Sequence, residues 1–192
     1  MRVESRLSIG LAPLVGIILG LAGPALATTL EQLSLDEMAR QSTAIVRARV
    51  TGSHAATRTG DIYTYFQLQV LENWKGQGST EVAVPGGVVD GIRQSVTGAP
   101  ELKIGQEYVL FLWTSRSGVT QLTGLSQGLF GLSEEGSVGG GGVAFARRPA
   151  ASELMLDHSG RPVEDRPLSI QLSDLRARVR EALGVAKLRA AK

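Results

Sequence analysis

Hydrophobic and polar residues alternate most regularly over residues 62–76, IYTYFQLQVLENWKG. Ile62, Thr64, Phe66, Leu68 and Val70 share one parity, and Tyr63, Tyr65, Gln67 and Gln69 share the other. A period of two over that length, in a run rich in β-branched and aromatic residues, predicts a long half-buried strand. Asn73 and Gly76 supply turn chemistry at its end, and Trp74 keeps the parity of the apolar face. Residues 44–51 alternate as well, with Ala44, Val46, Ala48 and Val50 on one side and Ile45, Arg47 and Arg49 on the other. The intervening 52–60, GSHAATRTG, is small and polar and reads as the linker of a long hairpin.

Further on, 80–84 predicts a third strand stopped by Pro85-Gly86-Gly87. Residues 88–103 form an excursion rich in Gly and Pro, with Ile92, Val96 and Leu102 available to pin it down. Residues 108–113, YVLFLW, are apolar on both parities and predict a central strand buried on both faces. Shorter strands are expected at 119–122, 128–132 and 143–147, and a last hairpin from 154–156 and 161–163. The connection 133–142 ends in four glycines.

Helices are expected only at the ends. Residues 29–43 contain Ser34-Leu35-Asp36-Glu37, a capping box, with Leu30, Leu33, Leu35 and Met38 as an apolar side. Near the C-terminus, Ser173 is a good N-cap for Leu175, Val179 and Leu183, with Gly184 expected to end or weaken that helix. The reading is a mainly β, antiparallel, single domain, either an OB-like barrel or a sandwich. The N-terminal helix occupies 28–43, the β-domain 44–170, and the C-terminal helix with a basic tail 171–192.

Charge patterning at the start changes the picture. Arg2 and Arg6 precede an apolar segment at 7–22, and Ala25-Leu26-Ala27 is a small-x-small cleavage site. That layout predicts a secretory signal peptide over 1–27 and a mature chain beginning at Thr28, periplasmic or extracellular. The apolar segment is short of the ~20 residues a span needs and is broken by Pro13. Removing Arg2, Arg6 and Glu4 takes the net charge from +2 to +1. No later segment is apolar enough to span a bilayer. With no cysteine in the 192 residues, neither a lipid-modified cysteine nor a disulfide is available, so the core carries stability alone. The 24 glycines fit many short strands and turns. The near-neutral balance lacks the concentrated basic element of a nucleic-acid binder.

Candidate chemistry is sparse. His54 lies in the hairpin linker, and His158 in Asp157-His158-Ser159, where consecutive residues cannot converge as a triad. No HExxH spacing is present, and no metal or cofactor is assigned. The glycines 139–142 precede Val143-Ala144-Phe145 rather than the Lys-Ser/Thr and helix of a phosphate loop. Arg47 and Arg49 beside Tyr63, Tyr65, Gln67 and Gln69 would form a patch of guanidinium, phenol and amide groups suited to a peptide strand, a glycan or a protein. Residues 86–100, with Asp90 and Arg93, are a second candidate, since long ordered loops are often functional; a structural flap over the barrel end is the other reading. Basic residues of the last segment (Arg176, Arg178, Arg180, Lys187, Arg189 and Lys192) fit a solvated helix face, or contact with anionic lipid or an acidic partner.

The pieces LSLDEMARQSTAIVRARV (33–50), YTYFQLQVLENWKG (63–76), LKIGQEYVLFLW (102–113) and QGLFGL (127–132) resemble a group of uncharacterised exported bacterial proteins. Their shared layout is helix, strand, long strand ending in W-K-G, then G-x-x-Y-x-L-F-L. The resemblance implies export and a β-rich domain and implies no activity. The layout is also similar to netrin-like and metalloproteinase-inhibitor modules, which are OB barrels. Those depend on disulfides and an N-terminal cysteine that this chain lacks, so their mechanism does not carry over.

The expectation is a non-enzymatic exported domain that binds a protein, peptide or cell-envelope component. An envelope hydrolase using His54 or His158, and a structural or assembly factor of the envelope, are the other readings. Expression in a bacterial host should release a chain whose intact mass corresponds to a start at Thr28; a mass that includes residues 1–27 would refute cleavage.

Overall fold

The computed structural model describes residues 29–135 and 142–190, with the backbone alone for 185–190. The predicted signal segment and Gly139 to Gly141 lie outside the described residues. The chain opens with β1 (Thr29–Glu31), α1 (Leu35–Gln41), β2 (Ala44–Arg58), β3 (Asp61–Lys75) and β4 (Glu81–Pro85). A small hairpin, β5 (Gly87–Val89) and β6 (Ile92–Gln94), precedes β7 (Glu107–Thr114), β8 (Thr120–Leu122) and β9 (Leu129–Glu135). Then come β10 (Val143–Arg148), β11 (Leu154–Leu156), β12 (Pro162–Val163), β13 (Leu168–Gln171) and α2 (Leu172–Ala190).

The fold is mainly β with a helix towards each end, as expected. One large antiparallel sheet runs β13-β10-β9-β7-β2-β3-β4, with β8 beside β7. It curls until β4 lies against β8, but no ladder joins them among the described residues, so the barrel is not closed by hydrogen bonds. A second sheet, β1-β11-β12, includes a parallel β1–β11 pair.

Two cores share this sheet. Val46, Ala48, Val50, Leu68, Val82, Leu110 and Leu112 fill its concave side. Ile45, Val109, Phe111 and Phe130 face the other way, where Met38 of α1 and Leu175 and Val179 of α2 cover them. Adjacent residues Ile45 and Val46 are both 0% exposed, which is what two-sided burial of a central strand requires. The same holds for β7 from Val109 to Leu112, in agreement with its unbroken apolar run.

The structure corrects the sequence reading at several points. The 52–60 linker is strand: β2 and β3 stay paired from Ile45↔Lys75 out to Arg58↔Asp61, leaving only Thr59-Gly60 as the turn. Both turn residues have positive φ, 50° and 92°, the backbone twist that a two-residue hairpin needs. The small polar residues of 52–58 join the ladder because the long β3 needs a partner for its backbone groups. Trp74 leaves the face of Val70. Register shifts at Arg47/Ala48 and Ile45/Val46 reverse the pleat, so Val70 packs on the concave core and Trp74 on the helical one.

Residues 29–31 are a strand rather than helix, because they pair with β11. The helix starts at the predicted cap, where Ser34 Oγ accepts from the Glu37 N–H and Glu37 Oε2 accepts from the Ser34 N–H. Ile92 pins nothing, being 67% exposed at the tip of β5–β6, whereas Leu102 is buried. At the C-terminus, β13 has no counterpart among the expected strands, and α2 begins at Leu172, which places Ser173 inside its first turn, and continues through Gly184.

The W-K-G end of β3 acts as a staple on α1. Lys75 Nζ donates to the carbonyls of Ala39 and Arg40, both at 2.8 Å, and to that of Ser42. These are orphan acceptors at a helix C-terminus. Burial pushes the Lys75 ammonium below its ordinary pKa. Gly76 follows with φ 60°, and a Cβ there would run into the Thr43 carbonyl. Lys75→Met should therefore lower stability by about 2 kcal/mol, read from urea unfolding, because the carbonyls at the end of α1 lose their shared charged donor. An unchanged midpoint would show that water replaces the ammonium.

Candidate functional site

The outer face of the β2–β3 hairpin gathers the predicted patch. Arg49 lies opposite Gln69, Gly52 opposite Gln67, His54 opposite Tyr65 and Ala56 opposite Tyr63, the extra residue Thr51 being absorbed by a bulge. Directly opposed residues in an antiparallel pair share a face, so all six patch residues do stand on one side. Their electrostatics divide them.

Arg47 Nε and Nη2 donate to Glu107 Oε2 at 3.0 and 2.7 Å, and its Nη1 donates to Glu72 Oε1 at 3.2 Å. Arg49 Nη2 donates to the other Glu107 oxygen. Glu72 also accepts from Trp74 Nε1, and Arg176 of α2 pairs with it at 3.1 Å. The bond to Glu107 raises the Arg47 guanidinium above its ordinary pKa. Burial pushes Glu107 up, but the bonds from Arg47 and Arg49 outweigh it and hold the carboxyl low. The Trp74 indole bond does most to hold Glu72 low. Three arginines and two glutamates thus satisfy one another and tie β2, β3, β7 and α2 together.

Beyond that network the face is aromatic. His54 stacks on Tyr65 with centroids 5.2 Å apart, and Tyr63 lies 6.3 Å from Tyr65. Both tyrosines are half-buried, while Gln67 and Gln69 are exposed.

The excursion is ordered by contacts to β3. Gln94 Oε1 accepts from the Ile62 N–H at 2.7 Å, the Gly86 N–H donates to the Ile62 carbonyl, and Thr64 Oγ1 donates to the Gly86 carbonyl. Asp90 and Gly91 form the β5–β6 turn with φ 50° and 80° and stand exposed at its tip. At the far end, Tyr108 Oη accepts from the Lys103 N–H at 2.9 Å. Between these anchors the chain arches over β3 and β4 and leaves a cleft of about 440 Å³. Phe66 and Val84 line it together with Thr64, and Arg93, Ser95 and Lys103 contribute from the arch.

The structure thus brings Arg93 to the cleft and leaves Asp90 at the hairpin tip. Thr64 and Phe66 share the parity of the buried Ile62 and Leu68. They stay half-buried because the excursion roofs them without filling the space. Nothing in their alternation marks that gap.

The histidines are apart from one another. His158 Nδ1 lies 2.6 Å from Glu31 Oε1, and Nε2 lies 3.1 Å from Glu37 Oε1. The imidazole therefore clamps the 157–160 turn to β1 and α1. The neighbouring Asp157 carboxyl is lowered to about 2, chiefly by its bond from the Ser159 hydroxyl, and it serves the turn itself. Among the described residues no group of three or more His, Asp or Glu side chains is arranged to hold a metal ion, and no helix is long and apolar enough to cross a membrane.

Neither a protein-family model, nor a curated protein, nor a solved structure matches this chain.

The hydrogen bond to Glu31 raises the His158 pKa, with Glu37 adding to it. A group whose folded pKa is raised contributes in full below its unfolded value, about 6.5, and loses that contribution as pH rises through the folded value. Urea midpoints should therefore fall from about pH 6.5 upward by more in the natural protein than in His158→Gln. Parallel profiles would remove the clamp from the account.

Proposed function

We propose that this chain is an exported, non-enzymatic binding domain that seats a segment of a protein, peptide or other cell-envelope component in the cleft beneath residues 86–103. The observation that carries the reading is the cleft itself. Its roof is anchored at both ends by named hydrogen bonds, and a partly apolar floor of Thr64, Phe66 and Val84 lies open below it. Preformed concavities of a few hundred Å³ with a few polar groups on an apolar lining are where ligands bind. Arg93 and Lys103 would favour a ligand with acceptor or acidic groups along its length. The arginines of the hairpin face support this site less well, since Glu72 and Glu107 already neutralise them.

A second reading, binding on the hairpin face, draws on the His54–Tyr65–Tyr63 row, whose rings offer a stacking surface. A hydrolase built on His54 or His158 has less support, because both His158 nitrogens are held by carboxylates and His54 is stacked on Tyr65.

Capture from an envelope extract separates the readings. The mature protein should recover a partner that the cleft-blocking Ser95→Trp loses by about ten-fold or more, as expected when a central contact is removed. The triple variant Arg47→Ala, Arg49→Ala, Tyr65→Ala should retain it. The reverse pattern would move the site to the hairpin face. Hydrolysis abolished by His54→Ala with His158→Ala would replace binding with catalysis.

A further inference from the structure

On the other side of residues 98–101 lies a second cleft, of about 380 Å³. Its floor is one row of the large sheet. Tyr108 pairs with Gly131, and Gly131 with Arg147, and the missing side chain at Gly131 leaves room above the Tyr108 ring. The walls are the excursion at Gly98 to Glu101 and the segment from Pro149 to Glu153.

Glu153 is the unusual residue here. It is only 8% exposed, and among the described residues Oε2 has no hydrogen-bond partner while Oε1 accepts from Ser152 Oγ at 3.3 Å. Ser126 also lines this cleft, and its buried Oγ likewise has no partner among the described residues. Buried carboxylates without donors are costly, and folded proteins rarely keep them.

The arrangement is fixed rather than slack. Asp165 holds Arg148 through two hydrogen bonds of 2.7 and 3.0 Å and accepts the Ala151 N–H at 2.8 Å. The wall that carries Glu153 is thereby set two residues before it. Across the cleft, a Cβ on Gly98 would fall on the Glu153 carboxylate, so the excursion passes closely only because a glycine stands there.

The charges around the cleft favour a cation. Glu153 and Glu101 both line it. Arg147, the basic residue of its lining, is drawn away to Glu135 and stacks over Phe145 at 5.7 Å. One carboxylate with a hydroxyl is too small a ligand set for a metal ion, but it suits the three donors of an ammonium group.

We propose that this cleft is a binding site for a primary ammonium group on a short aliphatic stem, with Glu153 as its charged partner, Ser126 as a second acceptor and the Tyr108–Gly131 row along the stem. A free alkylamine and a lysine side chain of a peptide share this chemistry. The site does not depend on the cleft proposed above for the main ligand.

The test is a titration of the purified full chain with n-butylamine, with Nα-acetyl-lysine methylamide and with n-butanol, followed by amide chemical shifts in NMR. Both amines should give saturable shifts at the amides of residues 98, 99, 101, 126 and 150–153, and the neutral alcohol none. Tighter binding of the lysine amide would assign the site to a peptide side chain, and equal or tighter binding of butylamine to a free amine. The isosteric Glu153→Gln should weaken amine binding about ten-fold or more, the loss expected for a charge-assisted hydrogen bond. Gly98→Ala, which keeps the charge but displaces the carboxylate, should weaken it as well. Ser95→Trp, on the other cleft, should leave it unchanged. Absence of saturable shifts with both amines, equal shifts with butanol, or unaltered affinity in a folded Glu153→Gln protein would overturn the site.

Discussion

The structure depends on one constraint: β2 and β7 are buried on both faces at once. A strand covered on two sides must supply apolar residues on both parities, and the sheet around it must then offer a surface to two different layers. Ile45 and Val46, adjacent in sequence, anchor the helical core and the concave core respectively. The bulges along β2 and β3 let a single hairpin of two fifteen-residue strands serve both. They reverse the pleat near the base, so that Trp74 joins the helices while Val70, four residues earlier, stays inside. They also bend the hairpin, bringing Arg58 to the Ser117 carbonyl and β4 against β8.

From that arrangement follows a division of labour between the polar groups. Those near the base of the hairpin are structural. Glu107 ties Arg47 and Arg49 of β2 to β7, Glu72 joins Arg47 to Arg176 of α2, and Lys75 caps α1. Gln127 is buried between a carbonyl and an N–H, donating to Glu31 and accepting from Leu33, and so locks β1 to the β8–β9 connection. The functional candidates lie instead where the concave face runs out of side chains to fill it. Both clefts border the same short piece of the excursion, residues 99–101, because that loop crosses the face without covering it.

The sequence motifs at 33–50, 63–76, 102–113 and 127–132 fall almost entirely on the structural side of this division. Ser34 and Glu37 cap a helix, Trp74, Lys75 and Gly76 staple it to the sheet, Tyr108 pins the excursion, and Gln127 and Gly128 shape a tight connection. A pattern made of caps, staples and close approaches constrains a fold strongly and a ligand hardly at all.

Much of the fold was legible because its signals are local. Alternation marks the long β3, an apolar run marks β7, and the capping box marks α1, each through contacts within a few residues of chain. The shared face of Arg49, Gln69, Gln67, Tyr65 and Tyr63 was legible for the same reason. What only the tertiary structure decided involves partners distant in sequence. The parallel β1–β11 pairing turns a predicted helical stretch into strand, and the β3 ladder turns an apparent linker into strand. Glu72 and Glu107 neutralise arginines that looked free. Glu153 passes unnoticed in sequence, since nothing in an Ala-Ala-Ser-Glu-Leu run shows that Gly98 and the Asp165 clamp will close over its carboxylate. Local patterns set which groups the backbone presents on each face. Whether a presented charge meets a partner, water or an empty cleft is set by the other elements packed around it.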